Sequence, residues 1–112
     1  MNFVQPDMRP ISENRYELMQ PYPFNPYPGY VRIVPRGFIS DGASVPRLLW
    51  PILRPDGLIR AAALVHDYMY KRHDIYFKRD ADDTFLKYME LAGVKKYKRV
   101  LAYWAVRVFG KM

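Results

Sequence analysis

Six of the ten prolines, Pro6, Pro10, Pro21, Pro23, Pro26 and Pro28, fall within the first 29 residues, and this divides what the chain can build. Proline fixes φ and has no backbone N–H, so a regular helix is not expected in this quarter of the molecule. The stretch RYELMQPYPF has room for one edge strand around Tyr16 to Met19. Beyond it, PYPFNPYPGY reads as extended, polyproline-like chain that lays aromatic side chains on the domain surface. The same Pro and Tyr ladder could serve as a partner-docking strip, but a small domain usually needs its aromatic residues for burial.

Residues 30–50 carry a different pattern. YVRIV alternates and is rich in β-branched residues, PRG is a turn, and FIS begins a return strand, which together predict a hairpin. The following DGASVPRLLW opens with Asp41 and Gly42, a pair suited to a tight turn in which the carboxylate caps nearby amides. From residue 56 the periodicity becomes helical. Asp56 is placed as an N-cap for GLIRAAALVHDYMYKR, with Lys71 and Arg72 at the negative end of the helix dipole. A second helix is predicted from Asp80 to Ala92 with Gly93 as its stop, and a third from Lys96 to Phe109 ended by Gly110. In the third, Val100, Leu101, Trp104 and Val108 form one apolar stripe, leaving Lys95, Lys98, Arg99 and Lys111 to solvent.

The expected fold is therefore α+β: an extended Pro/Tyr-rich segment (1–29), a small hairpin or antiparallel sheet with the DGAS loop (30–50), then three helices (56–110). At 112 residues, half of them apolar, the chain suits a single domain. No uncharged apolar run approaches the ~18 residues of a spanning helix, and the opening MNFVQPDMRP lacks a signal-peptide pattern. These features predict a protein of the cytoplasm, or one packaged from there. With no cysteine, any bound metal must use imidazole, carboxylate or backbone oxygen. The net charge of +7, concentrated after residue 94, favours anionic partners: a phospholipid surface, nucleic acid or an acidic protein.

Both histidines lie in VHDYMYKRHD. His66 and Tyr70 are four residues apart on one helix face, with Asp67 about 100° round. The preceding Ala61, Ala62, Leu64 and Val65 suit a buried helix, so these polar groups sit near the core and need partners. On the second helix Asp82 shares a face with Phe85, Leu86 and Met89, an unusual place for a carboxylate. If the two helices pack antiparallel, Asp82 reaches the turn from Asp67 to Tyr70. His73, near the helix end, reads as an exposed loop residue. Two roles fit the cluster. In one, His66 is a general base or metal ligand, with Asp67 and Asp82 orienting it or binding a cation. In the other, the residues satisfy one another and fix how the helices meet.

Taken together, FISDGASVPRLLW, ALVHDYMY, RDADDTF, LAGV and AVRVFG resemble the bacterial and phage family known as domain of unknown function 1353, over Val34 to Gly110. The matching positions include Asp41, Gly42 and Ser44, then His66, Asp67 and Tyr70, then Asp82, Phe85, Arg107 and Gly110. The resemblance implies a viral or prophage origin, with activity in the host cytoplasm or incorporation in the phage particle. It also groups Asp41 and Ser44 with His66, Asp67 and Asp82. DGASVP lacks the Gly-x-Ser-x-Gly elbow of a nucleophilic serine, so Ser44 is read as a loop cap. HDYMY is also similar to the HDxxY helix of secreted phospholipases A2. That likeness implies His66 as base, Asp67 as calcium ligand, and Tyr70 with Asp82 as support.

Two classes of function follow. The first is a metal-assisted ester or phosphoester hydrolase with His66, Asp67, Tyr70 and Asp82 as catalytic group. Asp41, His66, Asp67 and Asp82 would surround a divalent ion such as calcium, magnesium or zinc. The second is a non-enzymatic phage virion, tail or host-protein-binding factor in which the cluster is scaffolding. Its binding surface would be the Pro/Tyr segment or the basic third helix, and nucleic acid would be a further possible partner of that helix.

Overall fold

A computed structural model describes residues 3–12, 15–40 and 58–110. Its order is five short strands followed by three helices: β1 (Met8–Ser12), β2 (Arg15–Leu18), β3 (Tyr22–Phe24), β4 (Arg32–Val34), β5 (Ile39–Ser40), α1 (Arg60–Lys71), α2 (Lys78–Leu91) and α3 (Lys96–Phe109). This is the α+β architecture expected, with small antiparallel sheets ahead of the helices.

Strand pairing departs from the sequence reading in three ways. β2 is central, between β1 and β5 in a three-stranded sheet, not an edge strand. β4 and β5 do not form the expected hairpin with each other: β4 pairs antiparallel with β3, whereas β5 pairs with β2. The Pro/Tyr segment is not wholly a surface ribbon either. Its Tyr22–Phe24 stretch is the strand that pairs with Arg32–Val34, and Phe24 is buried. Proline is tolerated in this strand because a two-stranded sheet consists only of edges, so one side of each strand needs no N–H donor. Around Gly37, whose φ is +89°, the chain leaves β4 and turns towards β2; the Gly37 N–H donates to the Leu18 carbonyl at 2.8 Å.

The helices follow their sequence signals more closely. α2 begins two residues earlier than expected, at Lys78, and ends at Leu91, with Gly93 at φ +81° as a left-handed stop. α3 spans Lys96–Phe109, as its periodicity predicts. Asp56, expected to cap α1, lies outside the described residues. α2 packs against both α1 and α3. His66 lies near Phe85 while Tyr70 lies near Lys78, so α1 and α2 run antiparallel. A single apolar cluster joins Leu18, Phe24 and Val34 of the sheets to Leu64, Met69, Phe85 and Met89 of the helices. Burying each of these larger side chains contributes about 1.5–3 kcal/mol against the entropy of ordering the chain.

α3 meets α2 with the face opposite its bulky stripe. Its buried residues are Ala102 and Val106. Val100, Leu101, Trp104 and Val108 are exposed, whereas Lys98 and Arg99, expected in solvent, are half-buried. Among the described residues no helix is long and apolar enough to cross a membrane.

Candidate functional site: a buried aspartate hub

α1 is almost wholly buried from Ala61 to Tyr70. Small and aliphatic residues bring its backbone close to its neighbours, which carries His66 and Asp67 out of water with it. His66 and Asp82 are each fully buried (0% exposed), and Asp67 is nearly so. Such groups are tolerated only with hydrogen-bond partners.

Asp82 has four. One carboxylate oxygen, Oδ1, accepts from His66 Nε2 at 2.7 Å and from the Tyr70 hydroxyl at 2.6 Å. The other, Oδ2, accepts from Lys78 Nζ at 2.8 Å and Arg107 Nη1 at 2.9 Å. Lys78 uses its remaining donors on the Val106 and Arg107 carbonyls at 2.7 and 3.1 Å. It therefore neutralises a buried carboxylate on its own helix and satisfies carbonyls at the negative end of α3. The His66 ring lies between Tyr70 and Phe85, with centroids 4.1 and 4.7 Å away. Gly110 ends α3 beside Tyr70, where an added Cβ would lie 2.5 Å from the Tyr70 oxygen and against the Val106 carbonyl.

The electrostatics follow from this arrangement. Burial works against charge on Asp82, but hydrogen bonds from His66, Lys78 and Tyr70 outweigh it and hold the carboxyl well below its ordinary range. Burial pushes the Tyr70 phenol up, and the hydrogen bond to Asp82 and its negative charge push the same way. An ionised carboxylate can only accept, so the network assigns a proton to His66 Nε2.

Of the residues singled out in the sequence, the structure joins His66, Tyr70 and Asp82. Asp67 points elsewhere, as its 100° offset requires: its Oδ2 accepts from the β5 hydroxyl of Ser40 at 2.5 Å. Asp41, Gly42 and Ser44 lie outside the described residues. Three members of the network carried no expectation of a role: Lys78, Arg107 and Ser40. Lys78 had a signal, since it precedes Asp82 by four residues on one helix face. Arg107, on another helix, had only the general rule that a buried carboxylate needs a cation.

Among the described residues no three His, Asp or Glu side chains come together to hold a metal. Asp82 suits one poorly, because a divalent ion on Oδ2 would have to displace both Lys78 and Arg107. A cleft of about 480 Å³ lined by Phe3, Val4, Tyr22, Pro23, Tyr88 and Leu91, among others, contains none of the residues of the hub. Within it burial, with a smaller contribution from Tyr88, pushes the Tyr22 phenol up to about 12, and that hydroxyl donates to the Val4 carbonyl.

Comparison with known proteins gives a family for this arrangement. Residues 16–106 match the family described as protein of unknown function (DUF1353). The chain belongs to that family. The match begins earlier than the motifs alone reach and includes every residue of the hub except Arg107, which lies one position beyond its end. The chain is also 32% identical over 113 residues to y4jT, an uncharacterized protein of Sinorhizobium fredii. That alignment covers 96% of this chain but 31% of the relative, so the chain spans about a third of that protein's length. No solved structure matches. The likeness to secreted phospholipases A2 gains no support from these comparisons and rests on HDYMY alone.

Proposed function

We propose that this DUF1353 protein is a non-enzymatic binding module whose polar centre is a structural lock. The observation that carries this reading is the saturation of Asp82: two oxygens, four donors from all three helices, and no exposure. General acid–base chemistry needs a group that can reach a substrate proton, directly or through one water. In this hub the donors and acceptors meet one another. The family resemblance supplies the setting, a virion or tail component or a host-binding factor of a phage or prophage, acting in the host cytoplasm or carried in the particle.

A second reading is favoured by one specific observation. Asp82 accepts from His66 Nε2, and a carboxylate that holds one ring nitrogen is how an imidazole is oriented in sites where it acts as a base. In that reading the chain is an ester or phosphoester hydrolase, with Asp41 and Asp67 as candidate ligands of a divalent ion. The two readings separate in one experiment on the purified chain and its His66→Asn variant. Both are assayed against p-nitrophenyl esters and phosphoesters with and without calcium, magnesium, manganese or zinc, and melted in parallel. The structural lock predicts no turnover above buffer in either protein and a lower melting temperature for the variant. Turnover that the variant loses while melting like the parent would replace the lock with the hydrolase.

A further inference from the structure

The third helix turns its largest apolar side chains away from the protein. Tyr97, Val100, Leu101, Trp104, Val108 and Phe109 are all between 42% and 68% exposed. At 100° per residue, the first five fall within about 100° of arc, opposite the buried Ala102 and Val106. Lys96 and Lys98 lie on either side of this arc. From Val94 to Met112 the chain contains six basic residues and no acidic one: Lys95, Lys96, Lys98, Arg99, Arg107 and Lys111. The hub engages Arg107, which also fixes which side of the helix turns outward.

The geometry points to an anionic phospholipid surface as the occupant of this face, with α3 lying in the plane of the headgroups. Three features argue for lipid. Charge is complementary, since lysines border an apolar arc that contains no acid. Trp104 and Tyr97 are the amphipathic aromatic residues that settle at a headgroup boundary. A fluid interface also accepts protruding side chains without the matching groove that a protein partner must provide. A second copy of the chain is disfavoured, because it would bring two acid-free helices together. This inference rests on the reading that the chain works through its surface, but its test does not involve the hub.

The full chain is sedimented with vesicles of phosphatidylcholine alone and with vesicles one part in three phosphatidylglycerol, at low and about 0.5 M salt. A double variant, Leu101→Asp with Trp104→Asp, is run beside it; both side chains are exposed, and circular dichroism checks that the fold is kept. The expected result is binding to the anionic vesicles, at least about tenfold weaker on phosphatidylcholine or at high salt, and at least about tenfold weaker in the double variant. Equal binding by parent and variant would overturn the proposal, as would no binding to the anionic vesicles. If vesicles fail but the parent forms a dimer in ultracentrifugation that the variant loses, the face belongs to a second copy. If vesicles fail but a mixed-sequence oligonucleotide binds parent and variant equally, charge alone is responsible. None of these failures bears on His66 turnover, so the structural-lock reading would stand or fall separately.

Discussion

Replacing Asp82 with asparagine keeps the shape of the hub and removes its charge. The amide oxygen can still accept from His66 and Tyr70, but its NH2 group then faces Lys78 and Arg107, donor against donor. Removing one partner of a buried ion pair costs about 3–5 kcal/mol. Lys78 and Arg107 keep 29% of their side-chain exposure and can relax towards water, so the lower end applies, about 3 kcal/mol. Domains of this size are stable by roughly 6–17 kcal/mol, so the loss is a large share. With a urea slope of about 1.5 kcal/mol per molar, the unfolding midpoint should fall by about 2 M. Asp83→Asn is the control. Its carboxylate is half exposed and accepts from the Tyr103 hydroxyl, which an amide oxygen can replace, so the shift should stay within about 0.5 kcal/mol. The deficit should also depend on pH with a defined sign. The folded-state pKa of Asp82 is depressed, so its contribution is complete above the unfolded value of about 3.9 and is lost as pH falls through the folded value. The gap between parent and Asp82→Asn should therefore be constant from about pH 5 to 8 and narrow below about pH 4. A midpoint shift no larger than that of Asp83→Asn would refute the claim that this carboxylate fastens the helices.

Tyr70→Phe keeps the ring against His66 but removes a hydrogen bond to a charged acceptor, so urea unfolding should show a loss of about 1.5–3 kcal/mol. Gly110→Ala forces a methyl group to within 2.5 Å of the Tyr70 oxygen, and thermal melts should show a loss of about 1–3 kcal/mol. The double variant Gly110→Ala with Tyr70→Phe should be less destabilised than the sum of the two, because the phenylalanine removes one of the two clashing oxygens and leaves only the Val106 carbonyl. Trp104→Ser, at 59% exposure, should leave stability within about 0.5 kcal/mol of the parent in the same melts; a large loss would place that ring in the core.

What could be read from the sequence divides along the range of the interactions involved. Helix limits are local, and α3 ends where Gly110 and the periodicity say it does. Half of the hub is local too: His66 and Tyr70 are related by helical spacing, and Asp82 stood out as a carboxylate among Phe85, Leu86 and Met89. Of the two cations that make Asp82 tolerable, Lys78 was marked by its four-residue spacing, but Arg107 was not legible. Arg107 is 25 residues away and looks like any other basic residue of a strongly basic helix. Strand partners failed for the same reason. YVRIV and FIS each form a strand, yet alternation says nothing of which strand lies beside which, and the turn between them redirects the chain to β2. The DGAS loop falls outside the described residues, so the grouping of Asp41 and Ser44 with the histidine rests on the sequence motif alone.

The reversal of α3 has a physical cause that links the hub to the surface. A hydropathy pattern weights Leu101, Trp104 and Val108 above Ala102 and Val106, so it selects the bulkier stripe as the packing side. Packing is also governed by approach distance. Lys78 must span from Asp82 to the Val106 carbonyl, with contacts of 2.8 and 2.7 Å, while Arg107 returns to Asp82 from the same turn. Those bonds close only if the α3 backbone lies near α2, and Ala102 and Val106 permit that approach. With Trp104 turned inward the helices would separate by the thickness of an indole. The carboxylate would then lose its two cations and be left as an uncompensated buried charge, at a cost of several kcal/mol. The buried charge thus selects the small face for the interior, and the large apolar residues are left outward as a consequence. An exposed stripe produced in this way is a by-product of packing until a partner uses it. The lysines bordering it and the absence of any acid after Val94 are what make an anionic surface the partner to test.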